Sequence, residues 1–147
     1  MTRWWERRLD AYMRAHDALS IQLRQRTAEV DDLYVFYSGE ASNRPLPDDV
    51  AEEIRRRWRE SERELEDALA RGTFLLSEDA VALLRRYQRQ QGELERTMQD
   101  LVGEQIEAQH EAAQDAMNAF GKLAKRDLRV VPFDLPWRRR TPVEPVQ

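Results

Sequence analysis

The sequence has 147 residues, of which 35% are charged and 8% aromatic, with a formal net charge of -4. This composition predicts one helical domain with a real core rather than a β-sandwich, and cysteine is absent, which excludes disulfides, thiolate catalysis and cysteine-ligated metals. No apolar run is long enough to span a bilayer, no signal peptide is visible and no global positive field attracts nucleic acid, so we expect a soluble, cytoplasmic chain.

The first predicted element is a long helix over residues 3–38. Large and apolar residues recur at steps of four and three, as in a coiled-coil seam. Two positions of this seam, His16 and Arg26, are polar, and such residues usually fix register; the Arg26 head group is expected at the edge of the core. The helix should end at Ser38-Gly39, before a loop with two prolines. The seam residues are Trp5, Leu9, Tyr12, His16, Leu19, Leu23, Arg26, Val30, Leu33 and Tyr37.

A second helix is predicted over residues 48–71, because Asp49 and Glu52 have capping-box spacing and the apolar periodicity resumes there. It is followed by an apolar connector, Gly72-Thr-Phe-Leu-Leu76, where a loop would normally be polar. Two interpretations of Phe74 remain open. Together with Leu75 it covers the end of the bundle, or it belongs to a small exposed binding patch.

A third helical pattern runs over residues 78–128 without a proline, although Gly92 and Gly103 weaken the helix locally. We expect one long, bent helix, with a break near either glycine and a fourth helix as the alternative. The predicted fold is therefore all-α, an antiparallel coiled-coil-like bundle of three long helices, or four, over residues 1–128. Residues 129–147 hold four of the six prolines and are predicted to form an extended or disordered tail.

The strongest candidate for chemistry is the pair Glu107 and His110, which has the Glu-x-x-His spacing of di-iron carboxylate bundles. Such a site needs a second motif, but the only other histidine, His16, has Met13 three residues before it. Both candidate ligands lie off the apolar periodicity, which favours a solvated helix face. We therefore predict no metal, no cofactor, no small-molecule substrate and no enzymatic activity.

Two arginine clusters raise the question of nucleic acid, since arginine beside tryptophan can hold phosphates or stack on bases. The first, residues 55–59, is surrounded by glutamates that should pair with it at helical spacing. The second cluster, in the tail, is less neutralised and fits an acidic surface better, with a solubilising terminus as the other interpretation. Nucleic-acid or anionic-surface binding is thus the alternative function. The tail cluster consists of Trp137, Arg138, Arg139 and Arg140.

Three segments, WWERRLDAYMRAHDALS, LARGTFLLSEDAVALL and LAKRDLRV, occupy residues 4–20, 69–84 and 123–130. In this order they resemble a group of bacterial helical proteins of unknown function, which usually carry a membrane-spanning helix before the first segment. The resemblance implies a helical domain at the inner face of the membrane and implies no activity. The anchor is absent here, which leaves two alternatives: a member without an anchor, or a fragment of a longer protein.

We predict a non-enzymatic interaction or scaffolding module that binds a protein partner or a second copy of itself. Its predicted location is the cytoplasm, with the cytoplasmic face of the membrane as a further option. Trp4 either meets lipid or packs against the tail around Phe133 and Trp137, and we favour packing. The candidate contact residues are Trp4, Phe74, Trp137, Arg138, Arg139 and Arg140.

Overall fold

The computed structural model describes residues 2–37, 47–98 and 102–129. These residues form four helices and, within these ranges, no strand. The predicted all-α bundle is confirmed in its four-helix form. The predicted loop after the first helix and the predicted tail beyond Arg129 lie outside the described residues. The helices are α1 (Thr2–Tyr37), α2 (Asp48–Gly72), α3 (Glu78–Thr97) and α4 (Val102–Leu128).

The expectation of one long helix over residues 78–128 was wrong. α3 ends at Thr97, where the amide of Met98 donates to the carbonyl of Leu94 at 3.1 Å, and α4 begins at Val102. The break lies beside Gly103, whereas Gly92 is inside α3. An unbroken helix would extend roughly 75 Å, against roughly 54 Å for α1. The break instead lets α4 fold back and pack against both α1 and α3, so its apolar face is buried.

The helices alternate in direction along the chain. α1 packs against α2 and α4, and α3 packs against α4. Tyr12 bonds to Asp127 whereas Thr27 contacts His110, so α1 and α4 are antiparallel. α1 and α3 are parallel, because hydrogen bonds join α1 to α3 and its N-cap at three residue pairs, each 65 positions apart. These pairs are Tyr12 with Ser77, Gln22 with Tyr87, and Arg26 with Gln91.

Alanines bring the helices close together around a few large side chains. Tyr12 of α1 and Phe120 of α4 are both buried, with ring centroids 5.9 Å apart. The buried position that the seam assigned to His16 belongs to Ala15, and His16 is exposed, which corrects that prediction. A helix with 3.6 residues per turn drifts around a 3.5-residue seam, so neighbouring positions exchange places. The alanines of the core are Ala11, Ala15, Ala18, Ala80, Ala113 and Ala116.

Candidate interaction surface at one end of the bundle

Two of the predicted contact residues, Trp4 and Phe74, line the same hollow. Trp4 lies near the start of α1 and is 49% exposed, whereas Phe74 lies in the link between α2 and α3 and is 95% exposed. The hollow has a volume of about 600 Å³. Folding therefore joins two candidates that are far apart in the sequence. We call the lining of this hollow the end surface; it consists of Arg3, Trp4, Arg7, Arg71, Phe74 and Leu75.

The short link after α2 explains why Phe74 is exposed. The amides of Leu75 and Leu76 both donate to the carbonyl of Gly72, at 2.9 and 2.8 Å, and this makes a tight turn. Leu76 then points inward and is buried, while Phe74 stands at the tip of the turn. The interpretation in which Phe74 covers the end of the bundle is therefore wrong. Leu76 covers the end of the core, and Phe74 is the exposed apolar group.

The end surface is positively charged. Its lining contains three arginines and no carboxylate. Arg71 pairs with Asp67 at 3.1 Å in an exposed bridge, and among the described residues Arg3 and Arg7 pair with no carboxylate. A surface bridge such as that of Arg71 contributes little and leaves the guanidinium accessible. The hollow therefore presents cations and aromatic rings side by side.

Arg8 connects this surface to the interior. Its guanidinium carbon lies 5.3 Å from the ring centroid of Trp4 and 5.6 Å from that of Tyr12. These distances are within the range of cation–π attraction, which favours a fixed position for the Trp4 ring. The Arg8 Nε is buried and has no hydrogen-bond partner among the described residues.

A partly buried hydrogen-bond cluster lies next to the end surface. The hydroxyls of Tyr12 and Ser77 donate to one Asp127 oxygen at 2.6 and 2.5 Å, and the Ser77 oxygen also caps α3 by accepting from the amide of Ala80. Burial opposes ionisation of Asp127, but hydrogen bonds from Ser77, Tyr12 and Arg126 together lower its pKa. Burial, together with the bond to Asp127, raises the pKa of Tyr12. The cluster ties α1, the start of α3 and the end of α4 together beside the end surface.

Arg26 is the centre of a second buried cluster, farther along the bundle. Its Nη1 donates to Glu29 at 2.8 Å, its Nη2 and Nε donate to Gln91 at 3.0 and 3.2 Å, and its guanidinium covers the ring of Trp58 at 3.4 Å. The Gln91 amide continues to the carbonyl of Gln109. The Arg26 head group is thus inside the core, which corrects the expectation that it lies at the edge. Burial raises the pKa of Glu29, and Arg26 offsets this in part.

Most arginines of the first cluster pair with glutamates of their own helix, as predicted. Arg55 pairs with Glu52 at 3.0 Å, and Arg56 and Arg57 both bind Glu53, at 2.6 and 3.0 Å. Hydrogen bonds from these two guanidinium groups hold the pKa of Glu53 at about 2. The charge of this cluster is therefore offset on α2. Its tryptophan, Trp58, is buried under Arg26 and is not available for stacking on a base.

The remaining candidates give no further site. His110 lies 3.2 Å from the hydroxyl of Thr27, and within residues 2–37, 47–98 and 102–129 no group of three potential metal-ligating side chains converges. In the same ranges no helix has the length and apolar character that a membrane crossing requires. The tail candidates lie outside the described residues; they are Trp137, Arg138, Arg139 and Arg140.

Comparison of the chain with protein-family models, with curated proteins and with solved structures finds no match.

Proposed function

We propose that this protein is a non-enzymatic interaction module of the cytoplasm that binds through its end surface. The observation that carries the proposal is the Phe74 side chain, which is 95% exposed beside a half-exposed Trp4. Covering a fully exposed phenylalanine recovers about 1.5–3 kcal/mol, and tryptophan and arginine are the residues that most often dominate binding energy at interfaces. An exposed apolar group of this size favours a contact site.

The polar clusters also support binding rather than catalysis. The Ser77 hydroxyl caps a helix and bonds to Asp127, so it holds the bundle together. Arg26 and Glu29 bond to each other inside the core. These groups have structural partners, and their bonds explain their presence without a substrate.

A matched pair of substitutions tests the proposal. Phe74→Ser removes the exposed ring, whereas Met13→Ser removes another exposed apolar side chain, 54% exposed, that lies outside the hollow. Self-association is measured by light scattering, and partner binding by cross-linking in a native extract that contains protein and membranes. We expect Phe74→Ser to weaken complex formation about tenfold or more, and Met13→Ser to leave it unchanged.

Circular dichroism checks that both variants keep their helix content. A monomer that forms no cross-linked complex would contradict the proposal, and so would a loss of binding that is equal in the two variants.

For the alternative function, binding of an anionic surface through arginine, the end surface is a further candidate beside the tail cluster. On α2 the arginines pair with glutamates, whereas the end surface carries three arginines beside exposed aromatic rings. Positive charge and accessible aromatic groups are therefore concentrated at the same end of the bundle as the proposed contact.

A further inference from the structure

We infer that the end surface binds the headgroup region of an anionic phospholipid bilayer. The inference rests on the proposed function, because the same residues make the contact, and it names the partner as lipid.

The apolar part of the end surface suits the boundary between lipid headgroups and acyl chains. Phe74 has no hydrogen-bonding group and stands at the tip of a short turn, so it can enter an apolar layer without carrying buried polar atoms with it. Trp4 has an apolar ring and one N–H donor, a combination that favours the membrane interface. Leu75 lines the same hollow and adds apolar area.

The charged part of the end surface suits anionic lipid. Arg3, Arg7 and Arg71 surround the aromatic rings, and each basic residue near an anionic leaflet strengthens binding about fivefold. The stems of these arginines can lie along apolar groups while their guanidinium groups reach phosphate. Lys125 lies in the last turn of α4. This turn is at the same end of the bundle as the end surface, because Asp127, two residues on, accepts a hydrogen bond from Tyr12 of α1. Lys125 therefore adds positive charge at this end.

Part of the negative charge of this chain, whose net charge is -4, lies at the opposite end of the bundle from the end surface. Asp31 and Asp32 are exposed near the end of α1, and the exposed Asp48 begins the antiparallel α2 beside them. Arg7 and Asp31 are separated by about 36 Å along α1 at 1.5 Å per residue. This exceeds three Debye lengths of about 10 Å in 0.1 M salt, so the acidic end repels the bilayer little when the bundle stands upright.

Lipid explains the end surface better than nucleic acid does. Proteins that bind single strands align aromatic residues along a groove that follows several nucleotides. Here two aromatic side chains lie at the tip of a bundle, around one hollow. A planar bilayer can contact such a tip end-on, with Phe74 inserted and the arginines around it.

Vesicle flotation of the full chain tests the inference. One set of vesicles contains phosphatidylcholine and phosphatidylglycerol, and the other contains phosphatidylcholine alone. We expect binding to the anionic vesicles that weakens with salt, and little binding to the neutral ones. Phe74→Ser should lower partitioning to the anionic vesicles about tenfold.

Two triple variants that carry the same net charge show whether vesicle binding depends on the arginines of the end surface or only on the net charge of the chain. Arg3→Gln, Arg7→Gln and Arg71→Gln together should lower partitioning about a hundredfold, which is the product of three fivefold effects. The control carries three exposed α2 arginines changed to glutamine and should bind as the wild type does. The control positions are Arg55, Arg57 and Arg63.

Equal binding to neutral vesicles, an equal loss in both triple variants, or no binding at low salt would overturn the inference. A second experiment uses a duplex and a single-stranded oligonucleotide. If the chain binds either of them through the end-surface arginines and does not bind vesicles, the partner is nucleic acid rather than lipid. If vesicle binding fails but Phe74→Ser still abolishes a cross-linked complex, the interaction module stands and the lipid assignment falls. If the chain binds no vesicles and forms no cross-linked complex that depends on Phe74, the lipid assignment and the interaction module are both refuted.

Discussion

Replacement of Arg26 by methionine tests the buried cluster that joins α1, α2 and α3. The Arg26 residue is 5% exposed, donates to Glu29 and Gln91, and covers the ring of Trp58. Methionine retains most of the apolar stem but leaves the Glu29 carboxylate and the Gln91 oxygen buried without these donors. Removal of one partner from a buried ion pair costs about 3–5 kcal/mol, because the other charge stays uncompensated. We expect the free energy of unfolding to fall by this amount at neutral pH.

The double variant Arg26→Met/Glu29→Leu separates the charge from the packing. It removes both charges, but the buried Gln91 oxygen remains without its Arg26 donor, which costs about 1–3 kcal/mol. We therefore expect the double variant to be more stable than the single one, although it carries one more substitution. Equal stability of the two variants would refute the reasoning, because it would mean that the Glu29 carboxylate finds solvent or another partner.

The pH dependence of the single variant provides an independent check. Burial already raises the pKa of Glu29, and without Arg26 the offset is lost, so the folded state binds the proton more tightly than the unfolded state does. The resulting stability is present below the unfolded pKa of about 4.3 and is lost as the pH rises through the folded pKa. Urea unfolding followed by far-ultraviolet circular dichroism should therefore show a smaller penalty at about pH 5 than at about pH 7. A penalty independent of pH would contradict this account.

Two further predictions concern the end cluster and the glycines. Asp127→Ala removes the acceptor of two hydroxyls, so we expect the free energy of unfolding to fall by about 2–4 kcal/mol at neutral pH. Because the pKa of Asp127 is lowered in the folded state, this contribution should disappear as the pH falls below about 3.9 and through the folded pKa; acid unfolding that is unchanged in the variant would contradict it. Gly92→Ala should stabilise the protein by about 0.5–1 kcal/mol, since an added Cβ meets nothing within 4 Å inside α3. Gly72→Ala should stabilise the protein less than Gly92→Ala does, because its Cβ would lie 3.0 Å from the side chain of the buried Leu76, and an equal rise of the thermal midpoint in both variants would be inconsistent with this packing.

The features that depend on a few neighbouring residues could be predicted from the sequence. α1 was predicted over residues 3–38 and covers Thr2–Tyr37, and α2 was predicted over 48–71 and covers Asp48–Gly72. Periodicity, capping residues, glycine and proline act within one or two turns, so the sequence alone carries this information. The same locality explains the pairing of the α2 arginines with glutamates of their own helix.

The path of the third helical pattern could not be predicted, because it depends on tertiary packing. A glycine inside a helix costs only about 1 kcal/mol, which does not decide between a continuous helix and a hairpin. The decisive gain comes from packing α4 against α1 and α3. Arg26 lies inside the core for a similar reason, since its partner Gln91 comes from another helix.

By itself, the sequence determined an all-α chain, the bounds of its first two helices, and Trp4 and Phe74 as separate candidates. Only the tertiary structure decided that they line one hollow with Arg3, Arg7 and Arg71. Arg3 and Arg7, four residues apart around Trp4, were a signal that the sequence analysis missed. Their meeting with Arg71 and Phe74 depends on the antiparallel packing of α1 against α2, which brings the start of one helix to the end of the other.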